Sequence, residues 1–235
     1  MNDEEIVLKA IDFAKKNKKQ IANRLTDVKK FPAESHPVSV FMAGSPGAGK
    51  TESAEELIQR FSNNNSILRI DSDELRCEFE DYDGQNSLLF QGPTSIIVDK
   101  MHDIALEQKQ SFIFDGTLSN LEKSVDNIKR SLSRSKNRDV FIVYVYQDPI
   151  QAWEFVKARA LKDGRVVPKD AFIKQYFSAR LNVNKIKEMF GNKVQVDLII
   201  KNIDGTNLKY KENINIIDNN IKEKYSNGEL NEVLE

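Results

Sequence analysis

Val38-Ser39-Val40-Phe41-Met42-Ala43-Gly44-Ser45-Pro46-Gly47-Ala48-Gly49-Lys50-Thr51 is the stretch from which the rest of the chain can be read. An apolar run with strand character leads into Gly44 to Thr51, which fill the pattern G-x-x-x-x-G-K-[ST]. An amphipathic helical pattern follows at once, with Ala54, Leu57, Ile58 and Phe61 spaced as the buried stripe of a helix. A loop that closes around adjacent phosphates must aim several backbone N–H groups inward. Gly44, Gly47 and Gly49 permit this because they lack a Cβ, and the helix that follows adds its N-terminal dipole. Ser45, Pro46 and Ala48 complete the cradle. Lys50 is expected against the β- and γ-phosphate oxygens, and the Thr51 hydroxyl is expected to ligate Mg²⁺. With a strand before it and a helix after it, the motif predicts a nucleoside triphosphate site.

Working outward, apolar runs of strand character occupy residues 38–43, 67–71, 112–115, 140–146 and 196–200. Helical patterns separate them. Ile96, Ile97, Met101, Ile104 and Ala105 precede the third run, and Leu121, Val125, Ile128 and Leu132 follow it. A longer pattern starts near Pro168 and carries Phe172, Tyr176, Ala179, Val183, Ile186 and Phe190. Such alternation implies right-handed crossovers and a mainly parallel, five-stranded sheet covered by helices on both faces, a three-layer α/β P-loop NTPase fold. Residues 1–37 read as a helical extension and linker. Ile6, Ala10, Phe13, Ile21, Leu25 and Val28 suggest one or two helices packed on the domain, and two prolines mark residues 31–37 as the linker. Residues 38–202 read as the kinase-type domain. Residues 203–235, rich in Asn, Lys and Glu, read as a polar tail, helical or partly disordered.

Composition narrows the partners. Lys plus Arg total 35 against 36 Asp plus Glu, which leaves no electrostatic footprint for nucleic acid or an anionic membrane. Cys77 is the sole cysteine, so no internal disulfide framework is possible, and two histidines, His36 and His102, are too few for a His-rich metal site. The acidic start MNDEEIV lacks the basic region of a secretory signal, and no apolar run nears the ~20 residues of a membrane span. The expectation is a soluble, cytoplasmic protein.

In sheets of this kind ligands bind beyond the carboxyl ends of the strands, and three polar groups fall there. The first is Ile70-Asp71-Ser72-Asp73-Glu74-Leu75-Arg76. A positioned carboxylate can accept the proton of a substrate hydroxyl, and Asp73 is the first candidate for that base, Asp71 the second. Capping of the next helical turn is the structural alternative for both. Arg76 is placed to bind substrate or to pair with a neighbouring acid. The second group, Phe112-Ile113-Phe114-Asp115-Gly116-Thr117, is an apolar strand that ends in a carboxylate. Asp115 is read either as a Mg²⁺ ligand or as a contact to the acceptor, with Thr117 beside it as a donor to a polar substrate. The third is the basic segment Lys157 to Pro168. Arg159 and Arg165 are read there as lid residues that meet the charge on the γ-phosphoryl oxygens. Lys157 and Lys162 fit a solvated helix end, while Trp153 fits the core.

Together GSPGAGKT, IDSDELR, FDGT and RALKDGRVVP resemble the zeta toxin family of P-loop kinases, from bacterial toxin–antitoxin systems, over residues 38–202. The resemblance implies an ATP- or GTP-dependent, Mg²⁺-using kinase whose acceptor is UDP-N-acetylglucosamine, phosphorylated on the 3′-hydroxyl of the amino sugar, so that cell-wall precursor supply is poisoned. It also implies a small helical antitoxin that obstructs the nucleotide site. Lys50 and Thr51 match the phosphate and Mg²⁺ ligands, Asp73 the base, Asp115 and Thr117 the substrate-contacting positions, and Arg159 and Arg165 the γ-phosphate arginines. The chain departs from well-known members at Asp115, where they carry Glu, and at Glu78-Phe79-Glu80-Asp81, where they carry a His-Pro pair. The stretch between its two arginines is also shorter. A nucleoside or antibiotic acceptor, or an NTPase switch module, are the competing readings.

Overall fold

The structure is a computed structural model, and it describes residues 2–61, 67–222 and 225–234. Its strands are β1 (Val38–Ala43), β2 (Leu68–Asp71), β3 (Phe112–Asp115), β4 (Asp139–Tyr146), β5 (Gln195–Lys201) and β6 (Asn207–Lys211). They form one sheet in the order β2-β3-β1-β4-β5-β6, parallel except for β6, which runs antiparallel to β5. The helices are α1 (Asp3–Leu25), α2 (Lys50–Phe61), α3 (Gln91–Glu107), α4 (Leu121–Arg134), α5 (Pro149–Asp163), α6 (Lys169–Phe190) and α7 (Asn227–Val233). Because β1 lies between β3 and β4, the loop that leaves β1 opens at the point where the strand order reverses, the usual crevice for a ligand.

Neighbouring strand residues point to opposite faces, so the central strands feed two cores. Phe41, Ile142 and Leu198 join Ile97, Ile128 and Phe172 of α3, α4 and α6 in the larger cluster. Met42, Val143, Val145 and Ile113 join Ala54 of α2 in the smaller one. Phe61, the fourth member of the stripe read into α2, is 75% exposed at the last residue of that helix and belongs to neither cluster. The α2 stripe therefore ends at Ile58.

The expectation of five strands is corrected to six. β6, Asn207-Leu208-Lys209-Tyr210-Lys211, has four of its five residues exposed, so it lacks the apolar period by which a buried strand is recognised. It is held as an edge by backbone pairing to β5 and by the Tyr210 hydroxyl, which donates to Asp197 Oδ2 at 2.8 Å. After it, Ile217, Leu230 and Leu234 are buried, and Lys169 donates to the carbonyls of Asn231 and Leu234, which docks α7 at the start of α6.

At the other end, α1 is a single helix started by a capping box. The Asn2 side chain accepts from Glu5 N and the Glu5 carboxylate accepts from Asn2 N. Its small residues Ala10, Ala14 and Ala22 share the larger cluster with Val98 and Met101 of α3. Gln110, buried just before β3, donates to the carbonyls of Thr26 and Phe31 and so ties the connecting segment to the sheet. His102 on α3 is enclosed by Phe41, Phe112 and Phe114, and burial pushes its imidazole down to about 3. It is a neutral core residue at physiological pH.

Candidate functional site

The Gly44–Thr51 loop is wedged between the end of β4 and the first turns of α5. A Cβ on Gly44 would lie 2.4 Å from the Val145 carbonyl oxygen, and one on Gly47 would lie 2.1 Å from that of Ala152. Both glycines also have positive φ, +139° and +72°, where side chains are strained. Ser45, Pro46 and Ala48 are buried in the loop, and Gly44 N donates to Thr117 O, which links the cradle to the segment after β3. Lys50 Nζ reaches back to donate to Ser45 O at 2.7 Å. Burial pulls this ammonium down to about 8, with Arg159 adding to the effect while Asp115 and Asp73 oppose it. A desolvated cation aimed along an N–H-lined loop is arranged for an anion.

Thr51, in the first turn of α2, donates its hydroxyl to Asp115 Oδ2 at 3.0 Å. Asp115 ends β3 directly beside Asp71, which ends β2. Burial raises the Asp115 carboxyl to about 6, and the charge of Asp71 raises it further, against Lys50, the Thr51 hydroxyl and Arg69. A hydroxyl and a carboxylate are the hard oxygen donors that Mg²⁺ takes alongside phosphate oxygens, so this pair fits the metal. Among the described residues no three His, Cys, Asp or Glu side chains gather into an all-protein metal cage.

Asp71 Oδ1 accepts from Asp73 N at 2.7 Å, which shapes the 3-10 turn Glu74–Glu78 that follows β2. Asp73 itself makes no capping bond with its side chain. Its carboxylate is instead bound on both sides. Arg76 Nη1 lies 2.7 Å from Oδ1, and Arg165 Nη1 pairs with Oδ2. Arg165 comes from the corner after α5, where Gly164 ends the helix with φ +75°. A Cβ on Gly164 would lie 3.2 Å from Gln85 Cγ, so this corner rests on the loop beyond Asp73. Arg159, one turn earlier on α5, is close enough to Lys50 to lower its pKa. Thr117 Oγ1 bonds to Ser119 Oγ at 2.9 Å, and Asn182 of α6 donates to Leu118 O, holding the loop after β3.

All the site residues read from the sequence thus lie around the carboxyl end of the sheet. Two neighbours escaped that reading. Arg69 of β2 contacts Glu55, Asp71, Glu74 and Asp115. Lys201, at the end of β5, packs its Cε 3.2 Å from where a Gly49 Cβ would stand, and burial lowers its pKa against Glu56 and Glu52. The available signal was a lone basic residue inside, or at the end of, an otherwise apolar strand.

The sheet order, the glycine cradle at its switch point and the buried lysine define a P-loop nucleotide-binding protein of the α/β class. The zeta toxin family profile matches residues 22–215. The chain belongs to that family, one of P-loop kinases. Among solved structures it is similar to one from the PezAT chromosomal toxin–antitoxin system of Streptococcus pneumoniae, with a TM-score of 0.64 and 15% identity, over 93% of this chain and 87% of the other. It is also similar to a chain in the AvrRxo1-ORF1:-ORF2 complex with ATP, with a TM-score of 0.58 and 14% identity, over 88% of this chain and 65% of the other. A third likeness is to a chain of the Pnkp1/Rnl/Hen1 RNA repair complex, with a TM-score of 0.53 and 18% identity, over 66% and 47%. These likenesses establish the fold. No curated protein sequence matches the chain. No helix among the described residues is long and apolar enough to cross a membrane.

Proposed function

We propose that the protein is a cytoplasmic kinase that transfers the γ-phosphoryl group of ATP or GTP to a hydroxyl of a UDP-activated amino sugar, the 3′-hydroxyl of UDP-N-acetylglucosamine. One observation carries this reading. Arg165 binds Asp73, whose N–H donates to Asp71, and Asp71 lies directly beside the Asp115 that accepts from Thr51 of the cradle, so acid, cradle and lid arginine share one cleft. Residues 38–202 carry the chemistry, with α1 packed on them.

In this reading the cradle from Gly44 to Thr51 and Lys50 hold the triphosphate chain, while Thr51 and Asp115 hold Mg²⁺. The ion supplies charge neutralisation of the phosphate oxygens. Thr117 and Arg76 orient the acceptor, and Asp71 keeps the Asp73 turn in place. The acceptor oxygen forms a bond to the γ-phosphorus as its proton passes to Asp73, and the bond to the β-phosphate oxygen breaks, leaving the nucleoside diphosphate. Arg159 and Arg165 stabilise the charge on the transferring group. Each oxygen of Asp73 faces a guanidinium that disfavours its protonation, so release of one guanidinium would favour proton uptake, and Arg165 is the partner with an alternative anion to bind. Family membership supports a small antitoxin protein as the partner that blocks the nucleotide cleft.

Purified protein incubated with γ-labelled ATP or GTP and a panel of UDP-sugars, nucleosides and aminoglycosides tests the proposal. Label on UDP-N-acetylglucosamine, located on the 3′-oxygen, is the expected result. Label on another acceptor with none on any UDP-sugar would overturn the acceptor. Hydrolysis that needs no acceptor and is stimulated by a second protein would overturn the kinase reading in favour of a switch.

A further inference from the structure

Arg69 has no part in the reading above, yet it is the most connected charge near the site. It lies on β2, two residues before Asp71, on the sheet face that α2 covers, and its side chain is only 15% exposed. One guanidinium nitrogen pairs with Asp71 Oδ2 and lies 3.2 Å from Glu74, a second lies 3.0 Å from Glu55 of α2, and Nε lies 3.5 Å from Asp115 Oδ2. That Nε is buried with no hydrogen-bond partner.

Asp71 and Asp115 are direct neighbours across the β2–β3 ladder, and both are nearly buried. Two carboxylates so placed repel one another and resist sharing the ionised state. The guanidinium between them offsets part of that repulsion, and its rigid fork reaches both at once, which a flexible ammonium cannot. Asp71 then has one oxygen committed to Arg69, Asp115 has its Oδ2 within ion-pair range of the guanidinium, and each acid carries a further bond aimed at the site. The Asp115 oxygen accepts from Thr51, and the second Asp71 oxygen accepts from Asp73 N.

We propose that Arg69 is a positioning residue of the phosphoryl-transfer site, a tethered cation that fixes both strand-end carboxylates and thereby sets the metal-side pair Thr51–Asp115 and the Asp73 turn from a single point. This rests on the kinase reading for its effect on rate, but its effect on the carboxylate pair does not depend on that reading. The plain structural alternative is a latch between β2 and α2 through Glu55.

The test compares Arg69→Gln, Arg69→Lys and Glu55→Gln in the full chain. With the cradle untouched, Arg69→Gln is expected to keep the nucleotide KM within about threefold while kcat falls about 10²-fold, the scale of a misplaced catalytic group. Arg69→Lys is expected to recover about half of that loss on a logarithmic scale, and Glu55→Gln to retain the wild-type kcat. The second readout uses no transfer. In nucleotide-free protein, millimolar Mg²⁺ or Mn²⁺ is expected to raise the melting temperature of Arg69→Gln by about 5 °C, because the ion replaces the missing charge, and to leave the wild type unmoved. Parallel losses of melting temperature and kcat in Arg69→Gln and Glu55→Gln, without any cation effect, would mean a latch and overturn the proposal. If Arg69→Gln does not fold, Arg69→Lys decides. Its kcat is expected to drop about tenfold at unchanged nucleotide KM, and wild-type kcat would overturn the idea. Failure of the wild type to phosphorylate any hydroxyl would strike the kinase reading alone, since the cation effect on melting stands apart from it.

Discussion

The two walls of the cleft are built on different principles. The cradle wall is made of backbone. Val145 and Ala152 carbonyls crowd Gly44 and Gly47, and the loop's shape follows from which residues lack a Cβ. The acid wall is made of charge. Asp73 is gripped by its near neighbour Arg76 and by the distant Arg165, and Asp71 by Arg69 two residues before it on the same strand. A backbone-made wall tolerates changes of salt but not of volume. A charge-made wall does the reverse.

The sharpest way to break this contrast is to cut one side chain from each wall. Lys50→Ala is expected to abolish both nucleotide binding and transfer. Asp73→Ala is expected to lower kcat about 10³-fold while nucleotide affinity stays close to wild type, as measured by calorimetry and by labelled transfer. Equal loss of binding in both would make Asp73 structural or a metal ligand. Next in size, Gly47→Val should cost about 3 kcal/mol or more of stability in thermal unfolding, because the added side chain collides with a carbonyl that cannot move without α5. Retention of wild-type stability would show that the cradle is looser than its backbone contacts imply.

The pH prediction sets the site's two strained charges against each other. Asp115 stands at about 6, above the ordinary 3.8, so the stability it contributes is present below 3.8 and is lost as pH rises through 6. Lys50 stands at about 8, below the ordinary 10.5, so its contribution is present above 10.5 and is lost as pH falls through 8. Between 6 and 8 the nucleotide-free protein therefore carries both charges at a cost, and the melting-temperature gain on adding Mg²⁺ and nucleotide is expected to peak there. Below 6 protons compete with the metal for Asp115, and above 8 binding should take up a proton at Lys50, visible as a buffer-dependent calorimetric heat. A flat profile from 5 to 9 would remove the electrostatic account of Lys50 and Asp115. The smallest effect is expected at the sheet edge. Tyr210→Phe removes the bond to Asp197 and should cost about 1 kcal/mol, read by denaturant titration, with transfer unaffected.

The same contrast explains what could be read in advance. β1 and β3 occupy residues 38–43 and 112–115 as read, since central strands buried on both faces announce themselves as apolar runs. β6 gave no such signal, for its residues face solvent and its order comes from pairing to β5. Phe61 looked like part of a buried stripe, but it lies where α2 has run past the sheet. Asp71 and Asp73 were both legible as polar residues at a strand end, with Asp73 the first candidate for the base, Asp71 the second, and capping the alternative for both. The geometry shows Asp71 accepting from Asp73 N and Asp73 held between two arginines. Arg69 was passed over because a single charge in a short strand carries no period and no spacing.

By itself the sequence determined the nucleotide cradle, the alternation of strands and helices, and the carboxylates and arginines that fall at strand ends, because each of these depends on residues close together in the chain. Only the tertiary structure decided which distant charges meet: Arg165 with Asp73 across 92 positions, Thr51 with Asp115 across 64, and Arg69 of β2 with Asp115 of β3. Ion pairs form wherever folding brings opposite charges together, and nothing in the local pattern of either partner records the other.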